Sequence, residues 1–562
     1  MSQHRPRRTS SLVACVFCLL AGSPVFADVL VLDRAAKTIS RLDVVTLAVK
    51  ASAALPDVPT RAVVSPDGTT VVVLCRGEGD DKYDGFRPKT KSKAIVLEVG
   101  KLVEKAQVEL GWGLGVSVWN DAGTSLVVLA PGFPSTDLEK RKSATVVSID
   151  RDGKARRVSV ERGAIDMAIS PDGTMAAVLA PKAEGPAQLS FCDLATETAG
   201  APIVLEGEPK ELLLAPDGTT LYSLSRGKPK GFGSVQGFLA VFSLSERKKT
   251  AEMKLGAITG IGGFEKGGRL ILGCARAGDV KEHRITIVKG AAIEHEVTVP
   301  DGPKAFRFAP DGRMAWALGW PSAFVDFSDF SAPPVVTPSK LIWGSRMAWT
   351  PDGKLALLHD SDGQAISQIL VFEVPSGKKL KSFDTASFGS RLGLVATTGA
   401  ATIASMEAGR RDAEAHGRST YSYSIYGVKT ETPRGAAIVI RPDGKVAFVY
   451  DPIGNDVLAI DLEKLEKGKR QSAGKGSRGL YLTGGGKTLL IAADNGLSAF
   501  DTTVFGAAIL TKTDGPADLA MSSSGQTLLF AKGLVAAVDP ANGKVGAQTG
   551  SFREPALGAF LP

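Results

Sequence analysis

Cysteine, histidine and aromatic residues are scarce in this 562-residue sequence: five Cys, five His, and 6% Phe, Trp and Tyr together. Cys15 and Cys18 fall in the N-terminal leader described below. Cys75, Cys192 and Cys274 remain, an odd number, each within or beside an apolar run (VVVLCRG, LSFCDL, LILGCARAG). Thiols in such settings read as buried and unpaired. There is no CxxC, CxxCH or Cys/His cluster, which removes zinc ribbons and c-type haem. No GxSxG elbow is present either, and only His283, His295, His359 and His416 follow the leader. These residue types assign no catalytic set, no metal site and no cofactor.

An excess of one charge is also missing. The formal net charge is +8, from 67 basic and 59 acidic residues, and Arg5, Arg7 and Arg8 lie in the leader. The remaining surplus is small for so large a surface. It fits an ordinary solvated exterior and argues against nucleic acid as a partner. Beyond the leader no apolar run is long enough to span a bilayer.

The leader has three parts. A basic stretch, His4 to Arg8, precedes an apolar one, Leu12 to Gly22, and Val25-Phe26-Ala27 supplies small residues where a signal peptidase reads. Residues 1–27 are therefore expected to be a signal peptide. The mature chain would begin at Asp28 and be periplasmic or secreted.

What the sequence has in abundance is one repeated unit. Gly435 to Asp461, GAAIVIRPDGKVAFVYDPIGNDVLAID, shows it most fully. An apolar run meets Pro442-Asp443-Gly444, a second apolar run leaves that turn, and a third strand ends in Asp461. Pro pre-sets φ, Asp caps locally and Gly accepts positive φ, so the two runs form a hairpin. Equivalent turns carry Gly68, Gly123, Gly173, Gly218, Gly268, Gly312, Gly353, Gly399, Gly444, Gly486 and Gly525. Their spacing is roughly 40–55 residues, close to that of four-stranded propeller blades. The opening VLVLDRAAKTISRLDV has the form of the outer half of a repeat and needs strands from elsewhere.

The expected fold is all-β, a β-propeller of about eleven four-stranded blades. Eleven exceeds the usual blade number of one ring. Two tandem propellers are expected, over residues 28–300 and 301–562.

The strand ending Phe448-Val449-Tyr450, followed by Asn455, Val457 and Ile460-Asp461, resembles the YVTN-type bacterial propeller repeat. The Pro-Asp-Gly turns are similar to the WD40-like repeats of TolB-type and lactonase-like propellers. The resemblance covers nearly all of residues 29–550 and implies a fold. It carries no catalytic residue, and it departs from true WD40 repeats in lacking the Gly-His opening and Trp-Asp ending.

Several motifs mimic sites. Gly484-Gly485-Gly486-Lys487-Thr488 has Tyr481 where a phosphate loop needs Gly, and it fills the slot of RPDGK in the preceding repeat, so it reads as a turn. Gly111, Gly113 and Gly115 lack the third spaced glycine and the helix of a dinucleotide loop. Asp80, Asp81 and Asp84 would put Lys82 at the third calcium-ligand position, where oxygen is required. His359 to Gly363 is a polar stretch out of register with a calcium loop.

The functional signal lies in loops. In a propeller blade the B–C and D–A loops share one face, opposite the tight A–B turns. Several B–C loops are expanded, namely 76–93, 131–144, 226–237 and a long segment around 407–427, and long loops on a rigid scaffold are where binding resides. The last gathers Arg410, Arg411, His416 and Arg418 with Tyr421, Tyr423 and Tyr426, and Arg and Tyr are favoured interface anchors. A non-catalytic platform binding a protein or cell-envelope ligand is the expectation. The alternative is an extracytoplasmic lactonase or hydrolase using carboxylate, His and Arg side chains at a channel mouth.

Overall fold

The computed structural model describes residues 28–561 except 83–84, 133–142, 162, 182–186, 228–234, 266, 279, 319–321, 331–332, 338–345, 362–366, 386–437, 452–454, 475–476, 478, 507, 514–516, 522–525, 550–551 and 553–554. These residues form eleven four-stranded antiparallel blades, numbered here in chain order, and no α-helix. The blade 4 sheet carries one further two-residue strand, Ile203–Val204.

In each blade the second strand is the most apolar. Thr70–Arg76 in blade 2, Met175–Ala180 in blade 4 and Thr488–Ala493 in blade 10 are buried along nearly their whole length. Both faces of such a strand meet a neighbouring blade, so the run has no reason to alternate. The fourth, outer strand is different. Lys248–Leu255 and Glu466–Ser472 are largely charged and exposed, and charges of this kind blunt an open sheet edge.

The A–B turns follow their sequence. Gly68, Gly123, Gly173, Gly218, Gly268, Gly312, Gly353, Gly444 and Gly486 all have positive φ. In the first, Gly68 N–H donates to Ser65 O at 2.8 Å, and Asp67 Oδ1 accepts from Thr69 N–H at 3.2 Å. The Asp that closes many third strands has a similar task. Asp193, Asp461 and Asp501 each accept a main-chain N–H two residues on, starting the next turn.

Blade 1 is built from both ends of the described chain. Pro555–Leu561 pairs antiparallel with Asp28–Asp33, which pairs in turn with Thr38–Asp43 and then Val49–Ala54. The half-repeat at the start thus finds its missing inner strand at the far end of the chain.

The chain divides into two compact units. One holds residues 1–204, 520–526 and 547–562, the other 205–519 and 527–546. Blades 1–4 belong to the first. Within it, Val71, Val73 and Cys75 of blade 2 pack on Leu30, Leu32 and Ile39 of blade 1. Blades 5–10 belong to the second. Residue 300, the sequence-expected ring boundary, lies between blades 6 and 7 in this unit, where Ile271, Ile285 and Ile287 pack on Phe306, Ala315 and Val325.

Blades 8 and 9 also share one core, with Leu357, Ile369, Val371 and Phe383 against Ile438, Ala447, Val449 and Ile460. Residues 386–437 therefore connect the outer strand of one blade to the inner strand of the blade it already touches. The segment around 407–427 thus belongs to a D–A connection and not to the expected B–C loop, because it follows a fourth strand. The turn expected at Gly399 falls in that segment, and Gly525 falls in 522–525, both outside the described residues. The eleven described blades comprise ten in chain order plus the closing blade 1.

Candidate binding face

The residues expected to bind, Arg410, Arg411, His416, Arg418, Tyr421, Tyr423 and Tyr426, all lie outside the described residues. The structure does describe where their segment leaves and rejoins the fold. Blade 8 ends with Lys379–Asp384 and the buried Thr385, and blade 9 begins with Ile438–Ile440.

A charged cluster marks this root. Arg470, on the outer strand of blade 9, donates Nη2–H to the Thr385 carbonyl of blade 8. Its Nη1 lies 2.5 Å from Asp456 Oδ1 and 3.5 Å from Asp451 Oδ2. Asp451 ends the second strand of blade 9 and Asp456 begins the third, so the two acids bracket the B–C loop. Asp451 is fully buried, Asp456 is partly buried, and Arg470 is about a quarter exposed. Burial pushes the Asp456 carboxyl up, against the pull of the Arg470 charge.

Beside it a neutral network fixes the same loop. Tyr450 OH donates to Asn455 Oδ1 at 3.0 Å and accepts from Ser477 N–H at 3.2 Å. Burial pushes the Tyr450 phenol up to about 12, so it remains a donor. Chemically, this cluster is a clamp. It holds the Arg470 guanidinium against both acids and the Thr385 carbonyl.

Blade 2 has an elaborated B–C loop. Gly79–Lys82 and Gly85–Pro88 pair as a two-stranded arm, with Asp80 opposite Arg87 and Asp81 opposite Phe86. Glu78 O accepts from Lys89 N–H at 2.6 Å and closes the base. Of the calcium-like acids, Asp80 and Asp81 are strand residues of this arm, and Asp84 lies outside the described residues. Loops 131–144 and 226–237 lie largely outside the described residues.

The remaining mimics resolve as turns or strands. Gly484–Gly486 is a single tight turn with Gly485 at φ 67°, and Thr488 Oγ1 donates to Ala541 O at 2.6 Å. That hydroxyl is committed to a neighbouring blade. Gly115 N–H donates to Leu129 O at 2.8 Å, which ties the Gly111–Gly115 loop to the sheet it enters. His359 is buried at the end of a blade 8 strand. Cys75, Cys192 and Cys274 are buried free thiols pushed by burial to about 12, 12 and 11.

Sequence reading missed Arg470, Asp451, Asp456 and Thr385. The acids could have been found from their position around the B–C loop in VYDPIGND. Nothing in the sequence ties Arg470 to Thr385.

No group of three or more His, Cys, Asp or Glu placed to hold a metal occurs among the described residues. No helix among them is long and apolar enough to cross a membrane.

The fold places the chain among β-propellers. No protein-family model matches it, and no curated protein matches it in sequence. Solved structures similar to it include dihydro-heme d1 dehydrogenase NirN in complex with DHE, at 13% identity over 86% of this chain and 79% of that one, with a TM-score of 0.34. Apo AztD from Citrobacter koseri is 13% identical over 79% of this chain and 94% of that one, TM-score 0.30. Kuenenia stuttgartiensis hydrazine synthase is 15% identical over 70% and 96%, TM-score 0.24. These likenesses transfer no activity or ligand to this chain.

Proposed function

We propose that the protein is an exported, non-catalytic propeller platform that binds a protein or cell-envelope ligand through the loops on the B–C and D–A ends of its blades. Signal-peptide removal after Ala27 and a periplasmic or secreted location belong to the same proposal, on the strength of the leader sequence. So does the kinship with YVTN and WD40-like repeats. The two-ring reading, over residues 28–300 and 301–562, rests on the blade count.

The observation that carries the binding role is the join between blades 8 and 9. Their cores are already in contact, so residues 386–437 are not needed to fill space between them. A connection that the packing does not require, rich in Arg and Tyr, and rooted in a partly buried charge clamp, is best accounted for by recognition.

The test uses tagged residues 28–562 to capture partners from an envelope extract after brief crosslinking. Replacing 386–437 with a short Gly-Ser linker should leave the melting temperature nearly unchanged and abolish capture. Replacing Arg410, Arg411 and Arg418 by Ala should weaken capture in the same way. Retained capture in both variants would remove this segment as the binding site.

A further inference from the structure

The outer strand of blade 10 is more apolar than the charged outer strands of blades 5 and 9. The outer strand of blade 10, Ile509–Lys512, reads ILTK, with Ile509 43% and Leu510 66% exposed. Val504, in the turn just before it, is 60% exposed. Elsewhere among the described residues, exposed large aliphatics stand singly, apart from Val45 and Val49 in blade 1, which flank the Asp43–Lys50 ion pair.

Lysines border this apolar rim. Lys469, on the outer strand of blade 9, donates Nζ–H to Val504 O at 3.0 Å, which sets its ammonium against the apolar turn. Lys467 is exposed on the same strand, and Lys512 is exposed at the end of ILTK. Of the nearby acids, Asp501 is occupied by Thr503, whose N–H and Oγ both donate to it, and Glu466 stands at the start of the blade 9 strand. Blades 9 and 10 share one packed core, so the rim is rigid.

Aliphatic tips on an exposed edge beside long cationic side chains match the interface of an anionic bilayer. The aliphatic groups reach the acyl boundary while ammonium groups stay among the headgroups. We propose that this rim docks the protein onto an anionic lipid surface. The charge complementarity of Lys467, Lys469 and Lys512 selects that occupant. None of these residues belongs to 386–437, and the proposal does not depend on the binding role proposed for that segment.

The experiment is co-sedimentation of residues 28–562 with vesicles of phosphatidylcholine alone and of equal parts phosphatidylcholine and phosphatidylglycerol. Binding is expected to the anionic vesicles only, and to weaken as salt screens the charges. Changing Lys467, Lys469 and Lys512 to Gln, or Val504 and Leu510 to Ser, should each reduce binding at least about tenfold. Thermal melting of each variant reports whether it has folded. Three results would overturn the proposal: no binding to anionic vesicles, equal binding to neutral ones, or folded variants that bind like the parent. Loss of capture of an acidic protein by these variants, without any vesicle binding, would also overturn it and make the rim a protein contact.

Discussion

Arg470 reaches across 85 positions of sequence to the Thr385 carbonyl, joining the outer strand of blade 9 to the last described residue of blade 8. The same guanidinium neutralises Asp456 and faces Asp451. Removing one partner from a buried ion cluster leaves uncompensated charge, typically at a cost of about 3–5 kcal/mol. Arg470 is about a quarter exposed, so Arg470→Ala should lower unfolding stability by less than that, about 1–3 kcal/mol, in urea denaturation. Arg470→Lys keeps the charge but loses the fork that serves two partners, and should fall between. A loss below about 0.5 kcal/mol for Arg470→Ala, the size of an ordinary surface substitution, would show that the clamp is only superficial.

Gly486 tests the packing of successive A–B turns. Its φ is 88°, and a Cβ there would lie 2.3 Å from Pro442 Cδ in the preceding turn. At Gly268, φ is 77° but a Cβ would meet nothing within 4 Å. Gly268→Ala should cost about 1 kcal/mol, for backbone conformation alone. Gly486→Ala should cost about 1–3 kcal/mol more, because the proline ring must shift. Equal losses in calorimetry would mean that the turns yield to each other freely.

Acid should destabilise the fold through its turns. The Ser65 hydroxyl and Thr69 hold the Asp67 carboxyl down to about 2. Ser170, Thr350, Arg441 and Thr503 likewise hold Asp172, Asp352, Asp443 and Asp501 below the usual range. Groups lowered on folding contribute stability above their unfolded value near about 4, and lose it as pH falls through the folded value. Asp456 is raised by burial and acts oppositely, favouring the fold when protonated. Five lowered groups outnumber it. The melting temperature should fall between about pH 4 and 2, and a flat profile there would count against the turn bonds.

The three thiols should be silent in the native state. Burial raises all of them well above neutral pH, and the thiolate is the reactive form. Residues 28–562 should take up no thiol reagent at pH 8 when folded and three equivalents when unfolded. Rapid labelling of the native protein would show that a blade opens locally.

The strand–turn–strand unit was legible because its causes are local. Pro, Asp and Gly set each turn, and continuous apolar runs such as Thr70–Arg76 mark strands covered on both faces. Those features determined an all-β propeller, the glycine positions and the reading of Gly484–Gly486 as a turn. Three matters were decided by tertiary structure alone. The strand that completes blade 1 is Pro555–Leu561, because β pairing depends on who arrives beside an open edge and not on sequence distance. Blades 8 and 9 are neighbours in spite of residues 386–437, because their apolar faces fit each other. The Arg470 clamp exists because that packing brings a guanidinium, two carboxylates and a distant carbonyl into one low-dielectric place, where charge must be paired.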